Sequence, residues 1–333
     1  MHSRRSPASA VLRSHPGGSA RQHRAAEPAS GYRGRGHVSA SGGGEAVLET
    51  RDLRVEVGAG RGVSAVPLLH GVDLEVRAGE RVAVLGASGS GKSLTAAAVR
   101  GQLAAGLRSS GSLRVLGQEV LDVPGARRPG GLRPAAVLQD PSAALHPLVA
   151  VGAQVAMPLR ARRTPRAEVR AEVLELLAAV GLEDPARVAD GRPAELSGGQ
   201  RQRAAIALAL ACEAPLLVAD EPTTALDTVT QASVLEVLGE RTGPGGPALL
   251  LITHDLAVAA ALCSRAVVVA DGRVVESGSL ADVLAAPAHP ATRALVDAAR
   301  ASGTTASASD APLGTARSAT LDTARSARGG VPA

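Results

Sequence analysis

The sequence predicts an α/β protein with a parallel sheet at its centre and helices on both faces. Three observations carry that reading. Short apolar runs alternate with helix-length stretches through the later part of the chain, the pattern of parallel strands joined by crossover helices. A glycine-rich loop, Gly86-Ala87-Ser88-Gly89-Ser90-Gly91-Lys92-Ser93, lies between one such strand and a helix. Upstream of it, residues 46–76 repeatedly alternate apolar and polar side chains, the period of half-exposed antiparallel strands.

Taken in order, Val47-Leu48-Glu49, Leu53–Val57 and Val72–Val76 form the antiparallel part. Arg81–Leu85 is the buried strand entering the loop, and Lys92–Leu103 the helix leaving it. Leu113–Leu116 is a short strand, 122–134 a loop rich in Pro, Gly and Arg, and Ala135–Leu138 a strand that delivers Gln139. Residues 140–205 change texture. Helical periodicity runs through Val149–Leu159 and Arg166–Val180, with Gly181 as a stop, so this stretch reads as an inserted α-helical subdomain. Arg201–Ala211, Thr228–Arg241 and Leu256–Leu262 then read as helices, and Pro215–Ala219, Ala248–Thr253 and Ala266–Ala270 as strands. The expected organisation is a disordered basic tail over 1–44, a catalytic domain over 45–297, and a disordered low-complexity tail over 298–333. Both tails lack the apolar content and periodicity that a packed core needs.

The 333 residues are 45% hydrophobic, yet Phe and Trp are absent and Tyr32 is the sole Tyr. The core is therefore built from Val, Leu and Ala. No apolar run approaches the ~20 residues of a membrane-spanning helix. The net charge of +5 sits in the first tail: residues 1–44 hold seven arginines against Glu27, and the other 29 basic and 30 acidic residues sum to −1. Nucleic-acid binding needs cationic charge clustered on the fold, so no nucleic acid is expected. Cys212 and Cys263 stand far apart in Ala-rich surroundings without metal-ligand spacing. They read as buried thiols of a reducing compartment.

Three segments carry chemistry. The loop Gly86–Ser93 fits G-x-x-x-x-G-K-[ST], whose glycines turn backbone N–H groups toward phosphates at a helix N-terminus. Lys92, the only lysine in the chain, reaches the β- and γ-phosphates, and Ser93 offers a hydroxyl to Mg²⁺. Leu216–Glu221 is an apolar strand ending in two acids. Asp220 is placed to hold Mg²⁺, and Glu221 to orient and deprotonate an attacking water. In Leu196-Ser197-Gly198-Gly199-Gln200, Ser197 caps a helix and the glycines bare its N–H groups, a second anion site. One triphosphate needs one such site per chain, so the economical reading is that this one faces nucleotide held by another subunit; read alone, the segment is a capped turn.

This set resembles the ATPase subunit of ATP-binding cassette (ABC) transporters, a P-loop NTPase core with an antiparallel β-subdomain and an inserted α-helical subdomain. Gly86–Ser93 matches Walker A, Leu216–Glu221 Walker B, Leu196–Gln200 the signature, Gln139 the Q-loop glutamine, Ala225-Leu226-Asp227 the D-loop and His254 the switch histidine. All occur in family order across roughly 46–297. The resemblance implies ATP and Mg²⁺ as cofactors. It implies catalysis by Glu221, His254 and Gln139, and Mg²⁺ held by Ser93, Gln139 and Asp220. Nucleotide lies between Gly86, Ala87, Ser88, Gly89, Ser90, Gly91, Lys92 and Ser93 of one molecule and Ser197, Gly198, Gly199 and Gln200 of another, with Asp227 linking the two sites.

Gln139-Asp140-Pro141 with Pro147, the run Ala219–Asp227, and His289–Leu295 resemble the oligopeptide, dipeptide and nickel importer branch. Ala291 stands where that branch usually has an aromatic, and His146 where it has Asn. The implied partners are a second, non-identical ATPase subunit paired head to tail, two transmembrane permease subunits and an extracytoplasmic solute-binding protein. The implied location is peripheral, at the cytoplasmic face of the plasma membrane. An exporter's separate ATPase subunit and a cassette subunit of a phosphonate-cleaving complex are the alternatives. The family usually stacks an aromatic on the adenine, and Val57 stands at that position.

Overall fold

The computed structural model describes residues 44–58, 65–224 and 226–301. Most of both expected tails lies outside the described residues. Helix α9 runs Pro290–Ala301, past the bound expected at 297. Its last residues are mainly alanines, good helix formers, and Ala299 packs on the core.

Two sheets make the frame. The first is antiparallel, in the order β2-β1-β4-β5, with β1 Ala46–Val57, β2 Val66–Arg77, β4 Leu107–Val115 and β5 Gln118–Glu119. The two pieces expected at 47–49 and 53–57 are one strand, interrupted by a bulge at Asp52. Its backbone is left-handed (φ 47), and its N–H donates to Asp73 Oδ1 at 2.6 Å.

The second sheet has the order β10-β9-β3-β8-β7-β6. Here β3 is Arg81–Leu85, β6 Ala135–Val137, β7 Leu216–Asp220, β8 Ala248–Ile252, β9 Arg265–Ala270 and β10 Arg273–Ser279. All neighbours are parallel except the edge pair β10 and β9. Side chains alternate across it. Ala83, Leu85, Leu217, Ala219, Leu249 and Leu251 join the helical side of the core. Val82, Val84, Leu216, Val218, Leu250 and Ile252 face α1 (Lys92–Arg100) and the antiparallel sheet.

The inserted helices are α2 Val151–Ala161, α3 Arg166–Ala179, α4 Pro185–Asp190 and α5 Gly198–Ala211, and α3 stops just before Gly181 (φ 75). The remaining helices are α6 Thr228–Arg241, α7 Leu256–Leu262 and α8 Leu280–Ala285. No helix among the described residues is long and apolar enough to cross a membrane. Cys263 is buried, which pushes its thiol up to about 12, but Cys212 is exposed. It follows the last residue of α5, where the buried face of the helix has ended, so only one of the two thiols fits the expected burial.

The 122–134 loop is pinned by an arginine. Arg128 is fully buried and donates from Nη1 to Val99 O at 2.5 Å, from Nη2 to Val120 O at 3.2 Å and from Nε to Val123 O at 3.0 Å. Val99 lies in the last turn of α1, whose carbonyls lack partners within the helix. Arg128→Met strands several buried carbonyls. We expect a loss of roughly 3 kcal/mol, seen as a fall in Tm of roughly 6–12 °C; an unchanged melting curve contradicts this role.

Candidate active site

The phosphate loop joins β3 to α1. Gly86, Gly89 and Gly91 all have left-handed φ (155, 78 and 108). A Cβ on Gly86 would stand 2.2 Å from Val269 O, and one on Gly91 2.6 Å from Leu69 Cδ2, so neither position accepts a side chain. Lys92 is folded into the loop, where Nζ donates to the carbonyls of Gly86 and Ala87 at 2.8 Å each. Burial lowers its pKa, and the charges of Glu221 and Asp220 work against that shift. Inside the same loop, Ser90 Oγ is buried with no hydrogen-bond partner, a vacant donor and acceptor in the cradle.

Strand β7 carries the two acids to this loop. Asp220 is buried, and its Oδ1 accepts from Ser93 Oγ at 3.2 Å. Burial raises its carboxyl pKa, which Arg100 and the Ser93 hydroxyl pull back. Glu221 follows with a left-handed φ of 47, a strained conformation costing on the order of 1–3 kcal/mol. Its N–H donates to Ile252 O at 2.9 Å, fixing the turn. Its carboxylate is surrounded: His254 Nδ1 lies 2.8 Å from Oε1, while Thr224 Oγ1 and Gln139 Nε2 donate to Oε2 at 3.1 and 3.4 Å. The ends of β6, β7 and β8 thus bring Gln139, Glu221 and His254 together with the phosphate loop.

The residues Ser197–Gln200 form a helix start apart from this cluster. Ser197 Oγ accepts from Gln200 N at 3.2 Å, and Gln200 Oε1 accepts from Ser197 N at 3.0 Å, a reciprocal capping box. A Cβ on Gly198 would meet nothing within 4 Å, and one on Gly199 would meet only Leu226 Cδ2, at 3.6 Å, so this helix end is open. Asp227 caps α6, accepting from Thr230 N and Oγ1 at 3.0 and 2.8 Å, and these bonds lower its pKa.

Three residues at the site escaped the reading of the sequence. Thr224 donates to Glu221 at 3.1 Å, and Arg100 stands 3.8 Å from Asp220. Gln202, 1% exposed, donates from Nε2 to Pro222 O at 2.8 Å and Leu138 O at 3.3 Å. It ties α5 to the residues beside Glu221 and Gln139. It stands in the polar run Gln200-Arg201-Gln202-Arg203, so nothing in the sequence singles it out from its neighbours.

A family profile described as "ABC transporter" matches residues 69–224. The chain is 40% identical over 256 residues to a probable peptide ABC transporter ATP-binding protein of Sinorhizobium fredii, covering 75% of this chain and 76% of that one. It is 44% identical over 237 residues to the nickel import ATP-binding protein NikD of Rhodospirillum rubrum, covering 71% and 90%. Among solved structures it is similar to the post-hydrolysis dimer of the ATP-binding cassette MJ0796 bound to ADP and Pi. That match has a TM-score of 0.61 at 28% identity and covers 70% of this chain and 98% of that one. Phosphate loop, paired acids and capped second helix therefore sit in a fold and a lineage that share one chemistry: the chain belongs to the ABC transporter family, as an ATP-binding subunit that hydrolyses ATP to power transport.

Proposed function

We propose that this subunit energises an importer of peptides, nickel or a related small solute. The observation that carries the proposal is its 40–44% identity to proteins named for peptide transport and nickel import. It works as one half of a head-to-tail ATPase pair, with a second, non-identical ATPase as partner, on the cytoplasmic side of two permease subunits served by a solute-binding protein. Affinity purification of the tagged chain from solubilised membranes tests this. Two permeases and a second ATPase should co-purify, encoded beside a solute-binding protein. Recovery alone, with ribosomes, or with lyase subunits overturns it.

Within the site, Lys92 exchanges the Gly86 and Ala87 carbonyls for the β- and γ-phosphates. Mg²⁺ fits the donors: the Ser93 hydroxyl and the Asp220 carboxylate meet at 3.2 Å at the loop's edge, both hard oxygens, and Gln139, which contacts the adjacent Glu221 at 3.4 Å, offers a third. Held by Ser93 and Asp220, the cation would supply neutralisation of phosphate charge. Glu221 takes a proton from the attacking water onto its carboxylate. His254, Gln139 and Thr224 hold that carboxylate in line, and His254 is also positioned to meet the γ-phosphate. Ser197, Gly198, Gly199 and Gln200 present N–H and hydroxyl donors to nucleotide on the paired molecule, and Asp227 lies between the two sites.

Val57 stands where the family usually stacks an aromatic on the adenine. Val57 is 44% exposed at the end of β1, opposite Val66, and offers no ring to stack on a base. Such stacking is worth about 1–3 kcal/mol. Val57→Tyr should therefore tighten ATP binding roughly 5- to 150-fold by calorimetry; an unchanged Kd contradicts this reading of the position.

A further inference from the structure

Arg100 reaches Asp220 from the far end of the phosphate-loop helix. It occupies the last turn of α1, the helix that begins with Lys92 and Ser93. The side chains of Arg100 and Asp220 are each only 10% exposed, and Arg100 Nη1 stands 3.8 Å from Asp220 Oδ2. The other oxygen, Oδ1, is the one that accepts from Ser93 Oγ. Arg100 Nε donates to Gln102 Oε1 at 3.1 Å, which holds the guanidinium from behind. Nη1 itself is buried without a hydrogen-bond partner.

An arginine that only balanced the negative end of the helix dipole would extend its head group into water. This one gives up hydration to face a single carboxylate, and a buried charge is tolerated only while its partner stays in place. Asp220 is thus gripped on two sides by residues of one helix, Ser93 at its start and Arg100 at its end. We propose that Arg100 is a positioning residue for the metal site. It holds Oδ2 of Asp220, so that Oδ1 is kept beside the Ser93 hydroxyl, where the cation is bound. Groups that orient a metal-ligating carboxylate typically change metal affinity 10- to 100-fold when removed. The inference rests on the assignment of Ser93 and Asp220 as Mg²⁺ ligands.

The test compares binding of a fluorescent, non-hydrolysable ATP analogue to the full chain in Mg²⁺ and in EDTA. The readout is the factor by which Mg²⁺ tightens binding. Arg100→Met should cut this factor by about tenfold while the affinity in EDTA stays at the wild-type value, and Arg100→Lys, which keeps the charge, should restore it. An unchanged factor in Arg100→Met overturns the proposal. So does a larger one, the result of simple repulsion between arginine and cation, and so does parallel loss of the EDTA affinity, which would make Arg100 a residue of the fold alone. Arg100→Gln, with a polar tip and no charge, is read the same way if Arg100→Met does not fold. A wild-type protein whose binding ignores Mg²⁺ refutes the ligand assignment itself, a failure separate from that of Arg100.

Discussion

Glu221→Gln lowers steady-state ATP hydrolysis by on the order of 10²–10⁴-fold and leaves ATP binding intact. The glutamine side chain has the same length and can still accept from Thr224 Oγ1, whose bond to Glu221 Oε2 is 3.1 Å. It cannot take a proton from water at neutral pH. The phosphate loop, with Lys92 on the Gly86 and Ala87 carbonyls, is untouched. Phosphate release and equilibrium nucleotide binding on the same preparation separate the two effects. A variant that keeps a tenth or more of wild-type turnover shows that Glu221 is not the base, and would return attention to His254, 2.8 Å away.

Ser197→Arg has an effect of similar size for a different reason. It removes the hydroxyl from the open end of α5 and fills with a long side chain the space where a Cβ on Gly198 meets nothing within 4 Å. Loss of one preorganised donor to a reacting group costs about 10²–10³ in turnover. Loss of the cap costs the fold only about 0.5–2 kcal/mol, so the protein should still melt cooperatively and still bind ATP at its own phosphate loop. Turnover within twofold of wild type would mean that this helix end never meets nucleotide.

Much of the fold was legible because its signals are local. Thr228–Arg241 and Leu256–Leu262 are helices with the bounds read from the sequence, each fixed by an aspartate cap, Asp227 and Asp255. Local signals failed where pairing decided the outcome. The bulge at Asp52 broke the alternation of β1, so one strand read as two. Strand β10 is half-buried at the sheet edge with Glu276 in its middle, and gave no apolar run to read. Helix α5 begins with two glycines, poor helix formers, so the sequence puts its start at Arg201, whereas the capping box of Ser197 and Gln200 sets it at Gly198. The site shows the same division. The phosphate loop and the acids are visible as contiguous motifs, whereas Arg100 acts on a residue 120 positions away and Gln202 on residues 20 and 64 positions away, and they become visible only when β7 lies beside α1 and β6 beside α5. Asp227 gains a second identity. The residue expected between two nucleotides is, in this chain, also the cap of α6, so its substitution will disturb helix and site together.

The proposed pairing draws half of each catalytic pocket from a neighbouring molecule. Light scattering and phosphate release, recorded on the same samples across a dilution series with and without the co-purifying ATPase, test it directly. Turnover should appear only in samples whose measured mass is that of a pair, and the rate per molecule should fall as pairs dissociate. A sample with the mass of one chain, turning over ATP at the undiminished rate, would rule out the shared pocket.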